Sequence, residues 1–461
     1  MFDLGVVNGI IVDPVRARLV AANVYVKDGK IAQITRETCG SARTIDARGE
    51  YVAPGFIDVH AHIESHRAAG ILLARQGVTT VVNGNCGMGQ PDLNAFFADT
   101  EARGFIVNQL ELSGATTLRE RVGVSDPYTP LDAAQLGAAT ELLEEDLRVG
   151  ACGVSFGLEY CPGTSKAELY ALSRTAARYG KLVAVHIRTD FFAGLAALDE
   201  MIEVARVTGA AVQISHVVYQ FGYGMMSHAL ERIDAARRAG IDVSCDSGMY
   251  TSFATNIGTA VFNEECFDKW GVSYDGVYMP GGKYAGQYLT RESYLDLRQN
   301  YPNEPAIALI GVPSEIPLAF TLPYMMASSD AGVFAMSGGD DTSAAHPQDA
   351  GTFPRFLREM VRERAALSLT DAISRITSLP AERLGLSGKG RIAVGADADL
   401  VVFDLARLRD NAVYPNAGRG DAPPDGISHV IVGGGVAIRE NEVIRADLGK
   451  VVRTPNEAWR Y

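Results

Sequence analysis

The stretch Gly55-Phe56-Ile57-Asp58-Val59-His60-Ala61-His62 sets two histidines at i and i+2 where an apolar run ends, just after the Pro54-Gly55 break. Residues two apart on a strand project from one face, so both imidazoles can face a single metal ion. His-x-His pairs are as often ordinary surface or core histidines. The meaning of this one depends on the rest of the chain.

Beyond this stretch the chain alternates. Apolar, strand-like runs occur at 56–63, 78–83, 104–112, 151–157, 182–187, 211–217, 241–245 and 324–329. Most are followed by stretches of helical period, as at 134–148, 166–179, 195–207 and 227–238. Eight such units, spaced by roughly 25 to 30 residues at first, predict an α/β fold, a (β/α)8 TIM-type barrel. The unbroken apolar character of the strands fits a parallel sheet covered on both faces. The interval 249–323 is rich in Tyr and Gly and reads as a lid-like insertion, an elaborated loop over the barrel mouth.

The two ends differ from this middle. Runs at 5–12, 23–30, 31–35 and 51–53 are short and separated by turns. The same texture returns near the C-terminus, where 388–404 reads as two strands around a Gly/Asp turn and 430–438 as a hairpin. The expectation is a discontinuous β-sandwich domain formed by both termini, 1–53 with 391–461, beside a barrel over 54–390.

The 461 residues carry a formal charge of −13, with 47% hydrophobic and 21% charged residues. No basic excess exists to neutralise phosphates, so neither a nucleic acid nor an anionic membrane is an expected partner. The start, Met1-Phe2-Asp3-Leu4-Gly5, lacks the charged and apolar regions of a signal peptide. Six cysteines (39, 86, 152, 161, 245 and 266) show no paired spacing and read as reduced thiols of a cytoplasmic protein.

Active sites of such barrels lie at the C-terminal ends of the strands, and metal-ligating residue types fall there repeatedly. His60 and His62 end the first strand, Cys86 the second, His186 the fifth, His216 the sixth and Asp330 the eighth. Imidazole, thiolate and carboxylate together suit zinc better than magnesium or calcium. Each residue alone has a plainer reading: a structural histidine, a small buried thiol, a capping aspartate. Their coincidence at the matching end of five strands argues for a metal site. His66 reads as a solvated or supporting residue, and His228 and His429 as structural.

Several longer motifs carry a resemblance. They are 53–62, 77–87, Gly157-Leu158-Glu159-Tyr160-Cys161-Pro162-Gly163, Gln213-Ile214-Ser215-His216, His346-Pro347, Gly351-Thr352-Phe353-Pro354-Arg355 and 388–400. In these the chain resembles the amidohydrolase superfamily, and within it the N-acyl-D-amino-acid deacylases, or D-aminoacylases. Asn85-Cys86-Gly87 and the 351–355 motif are particular to that branch. The fourth strand has no lysine, unlike dihydroorotases and hydantoinases. The resemblance implies one tightly held zinc on Cys86, His186 and His216. It implies a weaker or empty second site lined by His60, His62 and Asp330, with Asp330 as general base. The implied reaction is hydrolysis of a linear amide, with Tyr160, His346 and Gln348 at substrate-contacting positions.

The chain also departs from that family. Val218 stands at the position of a lysine that contacts the substrate carboxylate, and Gln348 at the position of an arginine. A neutral amide does not replace a bidentate guanidinium. Residues 335–345 add Gly338-Gly339-Asp340-Asp341, and hence negative charge. These changes argue against an acidic N-acyl-D-amino acid. Either Arg188, Lys283 or Arg355 supplies another anion contact, or the substrate has no carboxylate. The alternatives are another metal-dependent hydrolase on this fold, such as a cyclic amidase, lactonase or deaminase, or a scaffold without activity. Homo-oligomerisation is left open.

Overall fold

The computed structural model describes residues 1–332 and 341–454. The acidic insertion expected at 338–341 therefore lies outside the described residues, apart from Asp341.

Eight parallel strands succeed one another as expected: Phe56–Asp58, Val78–Asn83, Asn108–Glu111, Gly153–Gly157, Leu182–His186, Ala211–Ile214, Val243–Ser247 and Met325–Ala327. The first three pair in order. The fourth to eighth pair in order as well. Third and fourth are joined by the bond from Cys152 N to Glu111 O at 2.9 Å and by the short strand Ser113–Gly114. First and eighth meet at the Ala61/Ala331 bridge. There Asp330 N donates to His60 O at 2.9 Å, and His62 N to Ala331 O at 2.7 Å. Side chains of these strands are almost all buried, as a sheet covered on both faces requires.

The covering helices include Ala133–Val149, Lys166–Arg178, Phe191–Thr208 and Met226–Arg238. Two of them start at reciprocal caps, Asp132 with Gln135 and Ser165 with Glu168, a pattern legible in sequence. Among the described residues, no helix is long and apolar enough to cross a membrane.

The two ends share a sheet. Its order is Glu442–Val443, Gly435–Arg439, Ile427–Val432, Leu400–Phe403, Tyr51–Pro54, Ile10–Asp13 and Arg18–Ala21. A four-stranded sheet made of Lys30–Thr35, Asn23–Lys27, Phe2–Val7 and Ser41–Asp46 contributes to a common core with it, around Leu4, Val24, Val52, Leu400 and Ile431.

Three sequence readings need correction. The run 5–12 is two strands, because Asn8 adopts φ 63°, a left-handed conformation that Asn tolerates; its halves enter different sheets. Only Leu400–Phe403 forms a strand within 388–404; the glycines at 388, 390 and 395 leave the rest irregular. The interval 249–323 is more than a loop. It holds an antiparallel sheet of Ser252–Asn256, Pro305–Leu309 and Val277–Tyr278. Phe253, Phe262, Phe267 and Trp270 pack there as an aromatic core.

Candidate metal centre

Cys86 reaches its position through the turn Asn83-Gly84-Asn85-Cys86-Gly87. Gly84 has φ 74° and Gly87 φ 78°, and a Cβ at Gly84 would lie 2.3 Å from Leu112 O. Only glycine permits this approach. Three non-glycine residues of the cluster also adopt left-handed backbone: Cys86 at φ 54°, His216 at 34° and Asp330 at 56°. Such conformations persist where surrounding structure fixes them, and they concentrate at functional sites.

The structure brings all six expected residues together, and all are buried. Cys86 Sγ lies 3.4 Å from His60 Nε2, 3.5 Å from His216 Nε2 and 3.9 Å from His186 Nδ1. His186 Nδ1 and His216 Nε2 are 3.1 Å apart. Asp330 Oδ1 is 3.3 Å from His60 Nε2 and 3.4 Å from His62 Nε2. A tetrahedral zinc with bonds of about 2.3 Å to sulfur and about 2.05 Å to nitrogen separates S from N by about 3.5 Å and N from N by about 3.3 Å. The Cys86–His216 and His186–His216 separations lie close to those values, Cys86–His186 is longer at 3.9 Å, and Cys86–His60 at 3.4 Å fits as well. Cys86 also groups with His60 and His62, and His60 with His216 and Asp330, so its thiolate stands between two overlapping donor sets.

Burial opposes ionisation of the Cys86 thiol, yet His60, His186 and His216 hold it well below its ordinary value. Burial also opposes charge on Asp330, and contacts from His60 and His62 keep it well below the usual carboxylate range. Both are therefore available as anionic ligands.

Acids that sequence reading missed support the cluster. Asp58 accepts from His60 N at 3.2 Å and Ser329 N at 3.1 Å. Asp246 accepts from His216 N at 2.9 Å and Ser328 Oγ at 2.6 Å. Glu159 Oε2 lies 3.0 Å from His186 Nε2. Its other oxygen accepts from Lys269 Nζ at 2.6 Å. Asp58 and Glu159 lie within the quoted motifs 55–62 and 157–163. Lys269 carries no such signal, because its place depends on the fold of the inserted segment.

A narrow cleft opens beside the cluster. Tyr160, Tyr219, Phe253 and Val261 supply much of its wall, together with Glu159 and Asp190; among its described lining residues none is Lys or Arg. The Tyr160 ring lies 4.9 Å from that of His186. His346 and Gln348 are buried behind the cavity rather than in its wall. Gln348 accepts from Tyr219 OH at 2.7 Å and donates to Asp330 O at 2.5 Å. The alternative cations lie elsewhere. Arg188 is bound to Glu200 and to the Pro162 and Thr164 carbonyls. Lys283 pairs with Asp296, and Arg355 with Glu359, over the Tyr250 ring. Of the weaker histidines, His66 caps the helix Arg67–Arg75, while His228 belongs to the helix Met226–Arg238 and His429 to the strand Ile427–Val432.

Parallel strands that bring a Cys/His/Asp cluster to their C-terminal ends form an arrangement that can hold a metal ion where such folds place their active sites. The chain belongs to the amidohydrolase family, which matches residues 43–438. It is 32% identical over 470 residues to an N-acyl-D-glutamate deacylase of Alcaligenes xylosoxydans xylosoxydans, covering 94% of this chain and 93% of that one. The crystal structure of N-acyl-D-glutamate deacylase from Bordetella bronchiseptica, complexed with zinc and a phosphonate mimic of the tetrahedral intermediate, superimposes with a TM-score of 0.86 at 29% identity, covering 98% of this chain and 99% of that one. A D-aminoacylase structure concerned with its binuclear metal centre, "one-metal activation and second-metal attenuation", gives 0.86 at 26% identity, covering 98% of this chain and 100% of that one.

Proposed function

We propose that this chain is a zinc-dependent amidohydrolase cleaving a linear amide of the N-acyl-D-amino-acid type into a carboxylate and an amine. The observation that carries the reading is the convergence of Cys86, His186 and His216 within reach of one metal ion, with Asp330 beside them. These three would hold the tightly bound zinc, and His60, His62 and Asp330 a weaker second place. Zinc there supplies a nucleophile at neutral pH by acidifying water, and it polarises the amide carbonyl. Asp330 takes the proton of the attacking water and passes it to the leaving nitrogen. Tyr219 and Gln348 hold the Asp330 backbone in its left-handed conformation, and the cavity wall positions the acyl compound. The described wall has no Lys or Arg and three acids, Glu159, Asp190 and Asp330, of which only the first two are paired with Lys269, and acidic substrates are therefore disfavoured.

The closed order of eight parallel strands supports reading 54–390 as the (β/α)8 barrel. The sheet joining Tyr51–Pro54 to Leu400–Phe403 supports a β-sandwich of 1–53 with 391–461. Six free cysteines suit a reducing compartment, which favours a cytoplasmic location.

The test is a panel of neutral, basic and acidic N-acetyl amino acids of both chiralities, with zinc measured in the same protein. Turnover of neutral D-substrates, lost together with zinc in Cys86→Ala, is the expected outcome. Hydrolysis of cyclic imides or lactones with no turnover of the linear panel would replace this reading with the cyclic amidase or lactonase one.

A further inference from the structure

His186 turns Nδ1 toward Cys86 and His216, while its Nε2 lies 3.0 Å from Glu159 Oε2. A carboxylate only accepts, so Nε2 carries the hydrogen and Nδ1 keeps its lone pair for a metal. Glu159 is itself held. Its Oε1 accepts from Lys269 Nζ at 2.6 Å, and Lys269 contacts Asp190 Oδ1 at 2.6 Å. Asp190 Oδ2 accepts from Trp270 Nε1 at 2.9 Å. The chain of contacts therefore runs from imidazole to carboxylate to ammonium, and on to a second carboxylate and an indole. Two of its members, Lys269 and Trp270, belong to the helix Glu265–Trp270 of the inserted segment.

Asp190 shows that this arrangement overrides local preference. It occupies the N-cap of the helix Phe191–Thr208, where an aspartate ordinarily accepts a backbone N–H. Here its side chain makes no cap bond, and Phe191 comes next at φ 62°. The carboxylate is turned inward to Lys269 and Trp270 instead.

Taking Cys86, His186 and His216 as the zinc ligands proposed above, we infer that Glu159 is a positioning residue that fixes the tautomer and orientation of His186. Lys269 locks Glu159 in place, so that seating of the Glu265–Trp270 helix and metal affinity are coupled. Carboxylates that hold a ligating histidine typically contribute 10- to 100-fold to metal affinity.

The experiment measures zinc affinity by chelator competition, and the absorption of the cobalt-substituted protein, for wild type, Glu159→Ala, Glu159→Gln, Lys269→Met and Cys86→Ala. Circular dichroism establishes that each is folded. Glu159→Ala is expected to weaken zinc binding by about 10- to 100-fold and to shift the cobalt bands. Glu159→Gln keeps one acceptor oxygen for two donors, His186 Nε2 and Lys269 Nζ, so it should recover only part of the loss, and more of it when combined with Lys269→Met. Lys269→Met should weaken binding by a smaller factor. Wild-type affinity in both Glu159 variants, with zinc lost in Cys86→Ala, overturns the positioning role and leaves the ligand reading standing. Wild-type affinity in Lys269→Met alone overturns the coupling to the inserted helix. Zinc retained at wild-type affinity in Cys86→Ala overturns the ligand reading and this inference together. Should Glu159→Ala fail to fold, Glu159→Gln and Lys269→Met decide the question.

Discussion

Asp330 is a carboxylate at the seam of the strand ring, ionised and within 3.4 Å of two imidazoles. Asp330→Asn keeps the shape and removes the basic oxygen. Turnover is expected to fall by about 10²- to 10⁴-fold with zinc still bound, since Cys86, His186 and His216 are untouched; a near-wild-type rate would remove Asp330 from the base role. His346 makes a different prediction. Its Nδ1 accepts from Gln348 N at 3.1 Å, so Nε2 donates to Ser252 Oγ at 2.7 Å. Burial, with Arg355 adding to it against Asp330, pushes its pKa from 6.5 down to about 3. Between those values the unfolded chain binds the proton and the folded chain does not. Stability therefore falls as pH drops below 6.5 and is unaffected by this group above it. Thermal melts across that range should show a shallower decline for His346→Gln than for wild type. The six cluster residues were legible because each stands at the end of an apolar run, a place visible in one dimension. Glu159, Asp190 and Lys269 were not, since their partnership joins a strand end, a helix start and an insertion whose fold no local pattern announces.

Turns and helix contacts carry their own tests. Gly84→Ala would force a Cβ to within 2.3 Å of Leu112 O at a backbone φ of 74°. A loss of about 2 kcal/mol or more is expected, read by urea unfolding, with weaker zinc binding because Cys86 rides on that turn. Unchanged stability would show that the turn relaxes freely. Arg119 and Glu168, 2% and 1% exposed, join the helices Ala115–Arg121 and Lys166–Arg178 through a 2.6 Å ion pair. Arg119→Leu strands a buried carboxylate and should cost about 3–5 kcal/mol; a smaller loss would mean that Glu168 takes up its proton cheaply. The first seven ring strands and the helices between them could be read because each unit closes within a short span. The inserted sheet could not. Its strand Ser252–Asn256 pairs with Pro305–Leu309 across a span in which short aromatic runs fit loop, strand or helix equally well. Asn8 hid in the same way, since a single left-handed residue divides an apolar run without breaking its composition.

Both ends of the chain complete one another. Leu400–Phe403 lies between Ile427–Val432 and Tyr51–Pro54, and Leu400, Val402 and Ile431 fill the core under the N-terminal strands. Deleting 400–461 leaves that face uncovered, so the truncated chain is expected to aggregate and to be digested rapidly by protease. A monodisperse, protease-resistant product would show that the N-terminal sheets stand alone. The seam between first and eighth strands has a further consequence for how the chain is made. Asp58 accepts from Ser329 N across 271 positions, one of the most distant pairings in the ring, and loops of that size close late. A chain still emerging from the ribosome has Cys86, His186 and His216 long before it has the strand that closes the ring around them. Of the six residues gathered at the cluster, Asp330 is thus the last to be made, and it arrives at the end of the strand that completes the seam.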